Sequence, residues 1–154
     1  MRLTLDANIL VYAAQRGDHR HGPAVRVVRR AVGADCVQTL QSFGECFNVL
    51  RRKRGFDSRA AQKILREYRE LLPSVAAAIP DDLEEAMRAH ASHGLSFWDA
   101  MLWATARRAG CRLILTEDFQ DGSSLEGVTF VDPFNPANAR LLDLALPPTN
   151  GADP

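Results

Sequence analysis

Short apolar runs alternating with longer amphipathic stretches constrain this chain's fold more than any other feature of its sequence. Leu3-Thr4-Leu5 opens as a β run that ends at Asp6, and a helical pattern follows through Val11 until Gly17-Asp18 breaks it. The pattern predicts a helix from His21 to Val32, stopped by Gly33, and a second strand from Cys36 to Leu40. Ser42 to Lys53 reads as helical, with Phe43, Cys46, Phe47, Val49 and Leu50 on its apolar side and Gly55 past its end. Ser58 caps a helix running to about Leu72, and Val75 to Ile79 is predicted as a third strand. Asp81 caps a helix that Gly94 ends after His93, and Ser96 caps another that Gly110 ends after Ala109. Arg112 to Leu115 then reads as a strand, Thr116 to Ser124 as a loop and Val128 to Val131 as the last strand. Strands that alternate with helices in this way predict an α/β fold, a parallel sheet covered on both faces.

The 154 residues suit one domain, expected over residues 1–135, with 136–154 as a partly disordered C-terminal extension. The proline-rich end, Pro147 to Pro154, is expected to be a disordered tail. Nineteen basic side chains balance 19 acidic ones, so any affinity for nucleic acid has to come from a local patch. Cys36, Cys46 and Cys111 form no C-x-x-C pair, which argues against a disulfide framework or a zinc site and for a reducing, cytoplasmic setting. No apolar run approaches the ~20 residues of a membrane span. Asp6 and Asn8 interrupt the apolar N-terminus, which argues against a signal peptide. The four histidines show no H-x-x-x-H pair with a nearby glutamate, and neither a G-x-S-x-G elbow nor a P-loop is present.

In open parallel sheets, ligands bind beyond the carboxyl ends of the strands. Asp6 ends the first strand and Asp118 lies just past a late one, while Glu45 and Asp99 are predicted in the first turns of helices that start at the same edge. Each acid also has a purely structural reading. Asp6 can cap the helix after it, and Ser42-Phe43-Gly44-Glu45 and Ser96-Phe97-Trp98-Asp99 both match a capping box. Asp118 and Asp121 can be turn residues. Together, however, converging carboxylates disfavour one another's charge unless protons or a cation neutralise them. Mg²⁺ or Mn²⁺ suits an all-oxygen site and offsets charge on a phosphate, which points to phosphodiester hydrolysis. Asn8 and Thr116 are short polar groups placed to orient the carboxylates, or to serve plain helix-start and turn roles.

Four segments carry a family resemblance. They are Leu5-Asp6-Ala7-Asn8-Ile9-Leu10, Glu45 within Ser42-Phe43-Gly44-Glu45-Cys46-Phe47-Asn48, Leu95-Ser96-Phe97-Trp98-Asp99-Ala100, and Leu115-Thr116-Glu117-Asp118-Phe119-Gln120-Asp121-Gly122. In order and spacing, over roughly residues 1–135, the chain resembles the PIN-domain family, and most of all its VapC-type toxin ribonucleases. The resemblance implies a three-layer α/β/α fold around a central parallel sheet and Mg²⁺- or Mn²⁺-dependent endonuclease activity on RNA. It implies Asp6, Glu45, Asp99 and Asp118 as the catalytic and metal-holding quartet, with Asn8 and Thr116 beside it and Asp121 as an extra acid. A homodimer and a cognate antitoxin protein are the partners it implies.

Arg51-Arg52-Lys53-Arg54, and Arg26, Arg29 and Arg30 on the preceding helix, are candidate RNA contacts. Cations at a helix end also simply complement its dipole. Lys63–Glu67 and Arg66–Glu70 read as i,i+4 pairs on a solvated face. Trp98 and Trp103 point in different directions, one into the core and the other onto a dimer surface or groove. Two other functions fit parts of the pattern. A haloacid-dehalogenase-type phosphatase also opens with a strand ending in Asp, but wants a second Asp where this chain has Asn8. A catalytically silent binding module would keep the same fold.

Overall fold

The computed structural model describes residues 1–148. Strand β1 (Leu3–Leu5) leads into helix α1 (Ala7–Ala14), and α2 (His21–Val32) precedes β2 (Gln38–Thr39). Helices α3 (Leu40–Lys53) and α4 (Ser58–Leu71) form a hairpin before β3 (Val75–Ala76). Next come α5 (Pro80–His93), α6 (Phe97–Arg108), β4 (Leu113–Leu115), β5 (Ser124–Leu125) and β6 (Val128–Val131). A single 3₁₀ turn at Pro136–Asn138 and helix α7 (Ala139–Ala145) follow.

The main sheet has the order β1-β4-β6-β5, parallel except for β5, which pairs antiparallel with β6. β2 and β3 form a second parallel pair, joined to β1 by a bridge between Leu3 and Cys36. Where β2 then splays from β1, the Gln38 side chain fills the gap. Its amide donates to Leu5 O (2.6 Å) and accepts from Leu5 N–H (3.3 Å), standing in for a peptide unit. Alternation along β4 sends Leu113 and Leu115 to one face and Ile114 to the other. On the first face they meet α1, α2, α3, α4 and α7; on the second, α5 and α6. The expected three-layer α/β/α arrangement is therefore what forms. β1 and β4 are buried throughout, as continuous apolar runs in a covered parallel sheet should be.

Several boundaries differ from expectation for identifiable reasons. Helix α3 starts at Leu40 rather than Ser42, because Thr39 is the cap and its hydroxyl oxygen accepts the Ser42 N–H at 3.1 Å. Glu45 is consequently in the second turn, not the first, and does not close a box with Ser42. Helix α5 begins at Pro80, which needs no N–H partner there, and Asp82 rather than Asp81 folds back on the Ile79 N–H. The strand expected at 75–79 stops at Ala76. β5 was not expected; it pairs through a two-residue turn in which Glu126 (φ 45°) and Gly127 (φ 84°) both take positive φ, as a tight hairpin requires. Residues 139–146 pack into the core with Leu142, Ala145 and Leu146 buried. Arg30 holds them through Leu142 O, Leu146 O and Asp143, so this guanidinium is engaged by the C-terminal helix. From residue 149 on, the tail expected to be disordered lies outside the described residues.

Candidate functional site

Asp6 is placed by the end of the sheet ladder, where its N–H donates to Leu115 O (3.0 Å). Extended backbone there makes it the cap of α1, with Oδ1 accepting the Ala7 N–H at 2.6 Å. Its other oxygen accepts the Thr116 hydroxyl at 2.8 Å. Thr116 Oγ1 in turn accepts the Asp118 N–H (3.1 Å), and Asn8 Nδ2 donates to Asp118 Oδ2 (2.6 Å). The ends of β1 and β4 and the first turn of α1 thus tie Asp6 and Asp118 together, with Thr116 and Asn8 as the fasteners. Each of these two polar residues donates to a carboxylate oxygen.

Glu45 reaches the site from α3, its Oε1 accepting from Gln41 Nε2 at 2.6 Å. Asp99 sits in the first turn of α6, where Ser96 caps the helix and its hydroxyl donates to Asp99 Oδ2 at 2.5 Å. Gln41 Nε2 also donates to Trp98 O (2.9 Å), which stitches α3 to the start of α6.

Charge links the acids in pairs, Asp6 with Asp118 and with Glu45, and Glu45 with Asp99. Burial pushes the Asp6 carboxyl up to about 6, and the charges of Asp118 and Glu45 push the same way against the hydrogen bonds from Thr116 and Ala7. Burial also raises Glu45, opposed by Gln41 and reinforced by Asp99. Repulsion thus runs from Asp118 to Asp6, from Asp6 to Glu45 and from Glu45 to Asp99. Among the described residues, no three acids stand close enough to form a ready-made cage. Mg²⁺ or Mn²⁺ is commonly held by one or two carboxylates and completes its shell with water. The donors are all hard oxygens, and the donor set fits such an ion.

Other expected residues have different surroundings. Asp121 is held below its ordinary value by hydrogen bonds, first from the Asp132 N–H and then from Asn135 and Asn138. It fastens the loop after β4 to residues 132–138. Of the basic run, Arg51 donates to Phe56 O and Arg54 lies 3.6 Å from Asp18, while Arg52 and Lys53 are exposed. They stand in the last turns of α3, roughly 10 Å along the axis from Glu45. Lys63 and Glu67 pair as expected, at 3.9 Å. Arg66 instead donates to Gln62, an equally reachable neighbour one turn back. Trp103 is the core tryptophan and Trp98 the exposed one.

Two features have no signal in the sequence. Gln41 bridges Glu45 and Trp98, yet nothing in its spacing marks it. Glu117, beside Asp118, accepts from the Tyr12 hydroxyl and from Arg20 (2.8 Å), and Arg20 also pairs with Asp18 and covers the Tyr12 ring. That cluster joins three separate elements and has no local pattern.

The PIN domain family profile matches residues 3–120. The chain belongs to the PIN-domain family. Its fold is similar to that of VapC20 of Mycobacterium tuberculosis, described as a toxin that cleaves the sarcin-ricin loop. The TM-score is 0.62 at 23% identity, over 75% of this chain and 89% of that one. PAE2754 of Pyrobaculum aerophilum is similar at a TM-score of 0.59 and 22% identity, over 85% of this chain and 90% of that one. No curated protein matches the sequence. Among the described residues no helix is long and apolar enough to cross a membrane.

Proposed function

We propose that this chain is a divalent-cation-dependent endoribonuclease of the VapC type, the toxin of a toxin–antitoxin pair. The observation that carries the reading is a buried Asp6 tied through Thr116 and Asn8 to Asp118, with Glu45 and Asp99 as further like charges at the same sheet edge. Membership of the PIN family supports a nuclease, and the cleaving activity ascribed to VapC20 supports RNA as the substrate.

Asp6 and Asp99 chiefly hold Mg²⁺ or Mn²⁺ in this reading, with help from Glu45 and Asp118. When bound, the cation supplies Lewis acidity and charge neutralisation for phosphodiester hydrolysis. Thr116 and Asn8 fix the carboxylate orientations. Gln41 occupies Oε1 of Glu45, which leaves Oε2 to accept a proton from the attacking water. Asn8 stands where a phosphatase of the haloacid-dehalogenase type needs its second acid, and its amide is spent on Asp118. Arg52 and Lys53 add phosphate contacts whose effect falls as salt rises. A homodimer, an antitoxin partner and a cytoplasmic setting belong to the same reading, and three buried free thiols accord with the last.

The test is cleavage of mixed RNA with Mg²⁺ or Mn²⁺, with and without chelator. Asp99→Asn is expected to abolish cleavage and keep the native unfolding midpoint. Undiminished turnover in that variant would remove Asp99 from the mechanism, and cleavage indifferent to chelator would remove the cation.

A further inference from the structure

Trp98 is the one exposed residue among the phenylalanines, tyrosines and tryptophans of the described residues, at 62% exposure. The ring is not loose. Phe97 meets it edge-on, with centroids 5.2 Å apart and planes at 71°, and Gln41 pins its backbone oxygen. Trp103, five residues later, is fully buried and gives its N–H to Leu125 O, so the outward aim of Trp98 is a property of the helix start and not of tryptophan as such.

The indole borders an open groove lined by Gln41, Gly44, Glu45 and Asn48. A Cβ added at Gly44 would meet nothing within 4 Å, so the floor beside the ring is clear. Glu45 belongs to the candidate site, and Asp99 is the next residue after Trp98. The groove therefore includes one of the four acids, Glu45. Its chemistry selects the occupant. One flat ring offers stacking, and the Asn48 amide and Gln41 Oε1 offer donors and acceptors to a planar edge. No lysine or arginine lines the groove, so its walls offer a phosphate no charged contact. A second copy of the chain is a poor fit too. The centre of a protein–protein interface is depleted in charge and rich in apolar side chains, whereas this groove offers one indole among polar groups.

We infer that Trp98 is a stacking platform for an unpaired nucleobase beside the scissile phosphate, with Asn48 and Gln41 reading its edge. Bases inside a duplex are already stacked and cannot be received by the ring. The inference rests on the ribonuclease reading, and its test separates the two.

Binding is measured in chelator, where no cleavage intervenes, by the anisotropy of end-labelled RNA, and stacking by the quench of tryptophan emission. The probes are a short mixed-sequence RNA strand, the same strand made abasic throughout, and an RNA duplex. The intact strand is expected to quench native emission, and the abasic strand and the duplex to bind at least about ten-fold more weakly. Trp98→Ala, which keeps Trp103, should lose the quench and bind the strand about ten- to a hundred-fold more weakly. Trp98→Phe should recover most of that loss, and neither exposed-site change should move the unfolding midpoint. With Mg²⁺, Trp98→Ala should raise KM and leave kcat. Native-like strand binding by Trp98→Ala, or equal native affinity for the abasic strand, would overturn the platform. So would a halved mass of Trp98→Ala in sedimentation, which would assign the indole to a contact between copies. A native chain that is quenched by RNA yet never cleaves it would lose the nuclease reading and keep the platform. A Trp98→Ala chain that binds and cleaves as the native one does would lose the platform and keep the nuclease reading.

Discussion

Replacing Asp6 with asparagine is expected to make the metal-free protein more stable near neutral pH. Asp6 is 7% exposed, and its carboxyl sits at about 6 against an ordinary 3.8, chiefly because burial penalises the charge. Two units of displacement correspond to about 3 kcal/mol of unfavourable free energy once the group is ionised. Asparagine avoids that penalty but loses ground elsewhere. Its amide nitrogen must face Thr116 Oγ1, which already accepts the Asp118 N–H, and the loss of one good hydrogen bond costs about 1 kcal/mol. The net gain is about 2 kcal/mol, or a rise in Tm of roughly 4–8 °C for a chain of this size. The pH dependence has a definite sign. The folded chain holds the Asp6 proton more tightly than the unfolded one, so stability falls as pH rises through the interval between the two values. The advantage of Asp6→Asn should therefore grow by about 1.4 kcal/mol between about pH 5 and pH 7.5. Urea and thermal unfolding of both proteins in chelator give this difference, in which the other carboxylates largely cancel. An Asp6→Asn chain no more stable than the native one at neutral pH would refute the reasoning. So would an advantage that stays constant with pH.

Three further outcomes are expected. Gln38→Leu should cost about 2–3 kcal/mol in urea unfolding, because it strips both hydrogen bonds from Leu5 inside the sheet; an unaltered midpoint would mean the side-chain amide is not part of the ladder. Thr116→Val keeps the shape but removes the donor to Asp6 Oδ2. Mn²⁺ affinity by calorimetry should fall about 10–100-fold with the fold retained, and native affinity would detach Thr116 from the cation site. Burial pushes the Cys36 and Cys46 thiols up to about 12 and Cys111 up to about 11, so a thiol reagent at neutral pH should label all three only after denaturation; prompt labelling of the native chain would contradict their burial.

How far the sequence could be read depended on how local each cause was. β1 and β4 are legible because strands covered on both faces must be apolar throughout, and Leu3-Thr4-Leu5 and Leu113-Ile114-Leu115 nearly are. The start of α3 was obscured because Leu40 is half exposed and Ser42 mimics a cap, while Thr39 does the capping. β5 was hidden because glutamate seldom takes positive φ, so Glu126-Gly127 gives no hairpin signal. Pro136 opens a helical turn, a position that favours proline. At the site, Asp6, Asn8, Thr116 and Asp118 lie within a few residues of strand ends, and their meeting follows from topology. Gln41, and the group of Glu117, Tyr12 and Arg20, depend on the approach of distant elements, and no spacing along the chain encodes it.

The grip of Arg30 on the C-terminal helix has a consequence for the order of assembly. The carbonyl oxygen of Leu142 that this arginine holds is supplied 112 residues after the arginine itself. During synthesis, the face of α2 and the core beneath it wait uncovered while nearly all of the intervening chain is made. The core shared by α1, α2, α3 and α4 is therefore complete only once residues 142–146 have been made.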